Sequence, residues 1–130
     1  MNARDEGKVT ELELSTFVQL PPPAACALWE HPERAGGKFA EIFEEVESYE
    51  DSSHLSRALY KCRECGQLYF FEWYEWVDWD GGDDRSCSTL IPVQTPEQLE
   101  ALKQTDMFGL MRYYPRLHLD GGTPVWNGKG

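Results

Sequence analysis

The sequence predicts an α+β fold: a mainly antiparallel sheet of three or more strands, two main helices, and one hairpin closed by a Cys-x-x-Cys-Gly turn. Three observations carry that prediction. Residues 56–62 (SRALYKC) and 68–79 (LYFFEWYEWVDW) are strand-like runs joined by Cys62-Arg63-Glu64-Cys65-Gly66. Residues 38–49 (KFAEIFEEVESY) place Phe39, Ile42, Phe43 and Val46 at helical spacing, with glutamates over much of the remaining face. Thr95-Pro96-Glu97-Gln98 is a helix start, with Thr95 as N-cap, Pro96 in the first turn and Gln98 completing a capping box, for a helix over 96–104.

The remaining elements follow in order. Residues 1–8 read as a loose polar tail and 9–18 as a strand with Leu12, Leu14 and Val18 on one face. Pro21, Pro22 and Pro23 stop regular structure, and 24–37 reads as an ordered loop carrying Cys26, Trp29 and His31. The run 68–79 is apolar on both faces, Tyr69, Phe71 and Trp73 on one and Leu68, Phe70 and Tyr74 on the other, which suits a central strand covered on both sides. Gly81-Gly82-Asp83-Asp84 is a turn, and 88–93 is a third strand whose Pro92 sits near an edge. A short helical turn is expected over 107–111 and a brief strand over 117–119, with 121–130 a loose tail. The 130 residues suit one domain.

Charge and cysteine usage narrow the function classes. The net charge of −11 disfavours nucleic acid and anionic membrane as partners, since both repel a negative protein, and it suits either simple solubility or a basic protein partner. Residues 1–14 hold no apolar run of signal-peptide type, and no run of about 18 apolar residues occurs anywhere. The expected compartment is a reducing cytoplasm, where Cys26, Cys62, Cys65 and Cys87 serve as thiols or metal ligands rather than disulfides.

Cys62 and Cys65 lie at a hairpin tip, where two intervening residues set the bite and Gly66 permits a positive φ. Two thiolates at one centre suit zinc, which accepts tetrahedral sulfur and imidazole ligands. A thioredoxin-like redox pair would sit where a strand enters a helix, whereas the residues after Gly66 are strand-like. The expected ligand set is Cys26, His31, Cys62 and Cys65, which joins two local pairs, with Cys87 and His54 as alternates. Four protein ligands would close the shell and make the zinc structural. The competing reading leaves the cysteines as small buried hydrophobes.

Residues 72–84 carry six acids, Glu72, Glu75, Asp78, Asp80, Asp83 and Asp84, and 41–51 carry six more. One reading is a docking face, with tryptophan and tyrosine supplying contact area and the acids steering a basic partner. Another is a small metal-dependent hydrolase built on the 72–84 tract. The plainer reading makes the aromatics core and the acids a solvated rim. Most of Phe70, Phe71, Trp73 and Trp76 are expected in the core.

The Cys62-x-x-Cys65-Gly66 turn resembles the knuckle of zinc-ribbon and rubredoxin-like proteins, with Arg63 where the usual proline follows the first cysteine. CGQLYFFEWYEW, followed by GGDD and TLIPV, resembles a group of small uncharacterised bacterial proteins and, more distantly, the immunity proteins of toxin systems. That resemblance covers residues 62–93 and implies a knuckle at Cys62, Cys65 and Gly66 but no catalytic residue. The expectation is therefore a non-catalytic, zinc-stabilised acidic protein that inhibits or neutralises a basic partner such as a toxin. The metal-dependent hydrolase and a zinc-ribbon subunit of a larger assembly are the alternatives.

Overall fold

The aromatic run becomes the spine of the sheet. In a computed structural model that describes residues 17–76, 85–119 and 123–128, it forms strand β4 (Leu68–Trp76). β4 pairs antiparallel with β3 (Leu55–Cys62) from Lys61↔Leu68 to Leu55↔Tyr74. On its other side it pairs with β5 (Arg85–Val93) over its whole length, from Leu68↔Val93 to Trp76↔Arg85. The six-stranded sheet continues outward to β2 (Phe43–Asp51) beyond β3, and to β7 (Arg116–Leu119) and β8 (Val125–Asn127) beyond β5. All its neighbours are antiparallel.

Each face of β4 is buried in a different cluster, as its two apolar faces predict. Tyr69 packs with Cys26, Leu28, Phe43, Leu90, Leu117 and Trp126 on one side. Phe70 packs with Leu20, Ile91, Val93, Leu102 and Leu110 on the other. Aromatics in such positions supply a few kcal/mol each through buried area, so the two clusters anchor the sheet. Phe71 is half-buried against the first cluster, and Trp73 is half-buried too.

The largest departure from the sequence reading lies at 38–49. Only Phe39–Ile42 is helical (α2), and the chain then runs straight into β2, which pairs with β3 from Phe43↔Cys62 to Asp51↔Ser56 with two irregularities in register. One helical turn already delivers Phe39, Ile42 and Phe43 to the core, whereas Val46, the fourth member of the stripe, is 51% exposed. A continued helix would set Glu41 against Glu44 and Glu45, like charges at destabilising spacing. In the strand, Glu44 lies 3.6 Å from Lys61 and Glu45 accepts a hydrogen bond from the Tyr60 hydroxyl at 3.3 Å.

The other elements hold closely. Helix α3 (Pro96–Lys103) starts where expected, with Thr95 Oγ1 accepting from the Gln98 N–H at 3.2 Å. The reciprocal bond goes to Gln94, whose N–H donates to Gln98 Oε1 at 2.8 Å, one residue before the N-cap. α4 (Met107–Leu110) is capped by Asp106, which accepts from the Gly109 N–H. Pro92 lies beyond Ser88–Leu90, the stretch of β5 that β7 pairs, so the strand is open on that side there. Of the strand expected over 9–18, the described part is β1 (Val18–Gln19), parallel to β6 (Tyr113–Tyr114), while 9–16, the 1–8 tail and the 81–84 turn lie outside the described residues. The 24–37 loop contains a single helical turn, α1 (Ala27–Glu30), and a 3-10 turn over Pro32–Gly36.

The expected loose tail is ordered over 123–128. Trp126 is buried, its Nε1–H donates to the Leu28 carbonyl at 2.7 Å, and its ring meets Trp29 edge-on at 5.0 Å. β8 thus clasps the 24–37 loop against the sheet. Among the described residues no helix is long and apolar enough to cross a membrane.

One ion pair is sealed inside the fold. Arg57 donates from Nε at 2.9 Å and from Nη2 at 2.7 Å to Glu72 Oε2, across the register pair Arg57↔Glu72. Burial raises the Glu72 carboxyl above its ordinary range, opposed by the Arg57 guanidinium. Arg57→Leu leaves that carboxylate uncompensated and is expected to cost about 3–5 kcal/mol in urea unfolding. Arg57→Leu with Glu72→Leu should recover most of the loss, because no buried charge is then left alone.

Candidate metal centre

The β3–β4 turn is built for two convergent sulfurs. Cys62 ends β3, and its N–H donates to the Gln67 carbonyl while its own carbonyl accepts from the Gly66 N–H, both at 2.8 Å. Gly66 takes φ +85°, a left-handed conformation that costs a side-chain-bearing residue about 1–2 kcal/mol. Nothing crowds its Cβ position, so the backbone angle alone sets the demand for glycine.

Arg63 has a role that a proline at this position could not fill. Its backbone N–H donates to the Ile42 carbonyl and its Nε–H to the Ala40 carbonyl, both at 2.9 Å. Proline has no N–H to give. The β3–β4 turn is therefore fastened to α2, the turn that also carries Phe39 into the core.

Cys26 arrives from the opposite direction. The prolines lead the chain to the N-cap of α1, where the Cys26 N–H donates to the Pro23 carbonyl at 2.9 Å and its carbonyl accepts from the Trp29 N–H at 3.0 Å. Its sulfur, with those of Cys62 and Cys65, forms a group whose members all lie within 4.8 Å of one another. Sulfurs held about 2.3 Å from a tetrahedral zinc stand a little under 4 Å apart, so the group needs only a small contraction to close on one ion. Cys26 and Cys62 are buried and Cys65 is exposed, and all three are free thiols. A cleft of about 270 Å³ reaches Cys26 and Cys65, and one of about 470 Å³ reaches Cys62, so the centre has routes from solvent.

Burial pushes the Cys26 thiol up to about 12, with the neighbouring Cys65 and Cys62 adding to the rise and Tyr69 and the Leu28 backbone opposing it. An empty centre therefore holds a neutral thiol at Cys26 near neutral pH. A bound cation would have to displace that proton, as thiolate ligation generally requires.

The remaining expected ligands stand elsewhere. His31 caps the far end of α1 with its side chain 62% exposed and its Nδ1 3.4 Å from Glu33. It is not in the sulfur group, which corrects the four-ligand set to three cysteines. Local spacing paired Cys26 with His31, but the α1 turn sends them to opposite ends. His54 lies before β3, roughly 26 Å of strand rise from Cys62, with Nδ1 3.0 Å from Glu75. Cys87 sits across from Tyr74 with its sulfur 3.6 Å from His118 Nε2. All cysteines and histidines of the chain are among the described residues, so the three-sulfur group is the full Cys/His set at this centre.

The acidic tract divides. Glu72 is 3% exposed and engaged by Arg57, which removes it from any docking face, because its carboxylate already serves the interior. Glu75 is paired with His54. Asp78, Asp80, Asp83 and Asp84 lie outside the described residues. Exposed acids gather instead on the edge strand β2, at Glu44, Glu45, Glu47, Glu50 and Asp51.

Sequence reasoning put Tyr69 on one face of the covered central strand and did not connect it with the cysteines. It is fully buried, and its hydroxyl has no hydrogen-bond partner of acceptable geometry, although the cysteines are its electrostatic neighbours, Cys26 first. Its place two residues into the strand leaving the knuckle is the one signal that pointed there.

Cys26→Ser, Cys62→Ser and Cys65→Ser should each weaken the uptake of a metal ion by more than the roughly 10–100-fold typical of an outer-shell change. His31→Ala and Cys87→Ser should leave it unchanged, as read by competition with a chromophoric chelator. No protein-family model matches the chain, and searches of curated proteins and of solved structures likewise find no match.

Proposed function

We propose that this is a non-catalytic, zinc-stabilised acidic interaction protein. In this reading Cys26, Cys62 and Cys65 hold one zinc that ties the fold together, with a fourth position that no cysteine or histidine of the chain fills, and the acidic surface docks a basic protein partner in the manner of an inhibitor or immunity protein. The observation that carries the metal half is the convergence of three sulfurs from two distant parts of the chain. Zinc suits a site made only of thiolates, being borderline soft and free of geometric preference from d-electrons. Holding it would tie the irregular 21–37 segment to the β3–β4 hairpin, and the binding energy would count as folding energy.

The partner half rests on charge. The chain carries −11 overall, and β2 presents its acids along an exposed sheet edge. Such a field speeds encounter with a basic surface and repels nucleic acid and anionic membrane. The hydrolase alternative is less well supported, since Glu72 and Glu75 are already engaged by Arg57 and His54.

Protein purified without chelators should carry one zinc per chain, with only Cys87 open to a thiol reagent until a chelator exposes the other three cysteines. A metal-free protein with four reactive thiols, unchanged in stability by added zinc, refutes the metal half. For the partner half, association with a basic protein should slow roughly tenfold or more between low and high salt. Glu44→Lys, Glu47→Lys and Glu50→Lys together should remove most of that dependence. A rate indifferent to salt and to those substitutions refutes it.

A further inference from the structure

We infer that the Tyr69 hydroxyl is the outer-shell hydrogen-bond donor of the cysteine centre, unsatisfied while the centre is empty and bonded to the Cys26 sulfur when it is loaded. The inference rests on the metal half of the proposed function. Tyr69 is 0% exposed, and its hydroxyl is buried without a partner. Nothing in its surroundings lets it turn to water. Tyr60 and Pro92 flank it on the neighbouring strands, and Phe43 meets its ring edge-on at 5.8 Å. Cys26 and Cys62 lie in the same buried cluster, and Cys26 is its strongest polar neighbour.

A buried hydroxyl left unpaired costs about 1–3 kcal/mol, and such groups are rare in folded proteins. The neighbouring chemistry explains why this one persists. A thiol sulfur is a weak acceptor. A thiolate is a charged acceptor, and hydrogen bonds to charged groups are about twice as strong as neutral ones. A cation that displaces the thiol protons therefore creates the acceptor that Tyr69 lacks.

Charge balance decides between donor and fourth ligand. Three thiolates already exceed a divalent cation by one negative charge. A phenolate would add a second uncompensated charge in a buried place. A neutral O–H aimed at a sulfur instead draws off part of the excess, as outer-shell donors do in metal sites generally.

The test is Tyr69→Phe, which keeps the ring and removes only the hydroxyl. Zinc is titrated against a chromophoric chelator, and the metal-free forms are compared by urea unfolding. Zinc affinity should fall about 10–100-fold. The metal-free variant should be at least as stable as metal-free wild type, because an unpaired hydroxyl has gone. With Co²⁺ as probe, the sulfur-to-metal charge-transfer band should shift. A hydroxyl with only a packing role would lower both stabilities together, and that result overturns the inference, as does unchanged affinity. Should Tyr69→Phe not fold, wild type decides by NMR: zinc should bring a slowly exchanging Tyr69 hydroxyl proton, and its absence overturns the inference. Wild type that takes up neither zinc nor cobalt refutes the metal centre and the inference together, whereas wild type that binds with the affinity of Tyr69→Phe refutes the inference alone.

Discussion

Strand β4 is hydrogen-bonded along its length to β5 and over most of it to β3, and both of its faces are buried. That double ladder orders everything functional in the molecule. It closes the hairpin that presents Cys62 and Cys65, seats Tyr69 beneath the sulfurs, and carries Glu72 into the interior. Where the strand is fully enclosed, at Tyr69, Phe70 and Glu72, side chains have almost no route to water, so a polar atom there must find a partner within the protein.

Tyr69 and Glu72 are two outcomes of that constraint on opposite faces of one strand. Glu72 meets Arg57 directly across the β3–β4 ladder and takes two hydrogen bonds on one oxygen. Tyr69 meets sulfur, whose capacity as an acceptor depends on whether its proton is present. The first polar group is satisfied in any state of the folded chain, and the second only when the cysteines are ionised. The fold thereby links its core to the occupancy of its edge, a coupling that a wholly apolar strand would lack.

The segment before the sheet depends on the same centre. Residues 21–37 contain only one helical turn and one 3-10 turn, and they are held by Trp126, which donates to the Leu28 carbonyl, and by the approach of Cys26 to Cys62 and Cys65. A segment with so little regular structure has few backbone ladders of its own and relies on such fastenings. The acidic strand β2 lies at one edge of the sheet, where exposed charges and register irregularities also discourage pairing with another chain.

The sequence by itself determined the central aromatic strand, the Cys-x-x-Cys-Gly hairpin and the capped helix at 96–103, because each is decided by neighbours a few residues away. An apolar run on both faces marks a strand buried on both sides, Gly66 marks a positive φ, and Thr95 with Pro96 marks a helix start. Tertiary structure alone decided the fate of 43–51, where the free edge of β3 and the crowding of glutamates outweighed a helical stripe. It also decided that Cys87 stays apart from the expected trio of cysteines, that His31 turns away, and that Trp126 reaches Leu28 from the far end of the chain. These outcomes turn on groups far apart in sequence, whose energies exist only once the sheet has brought them together.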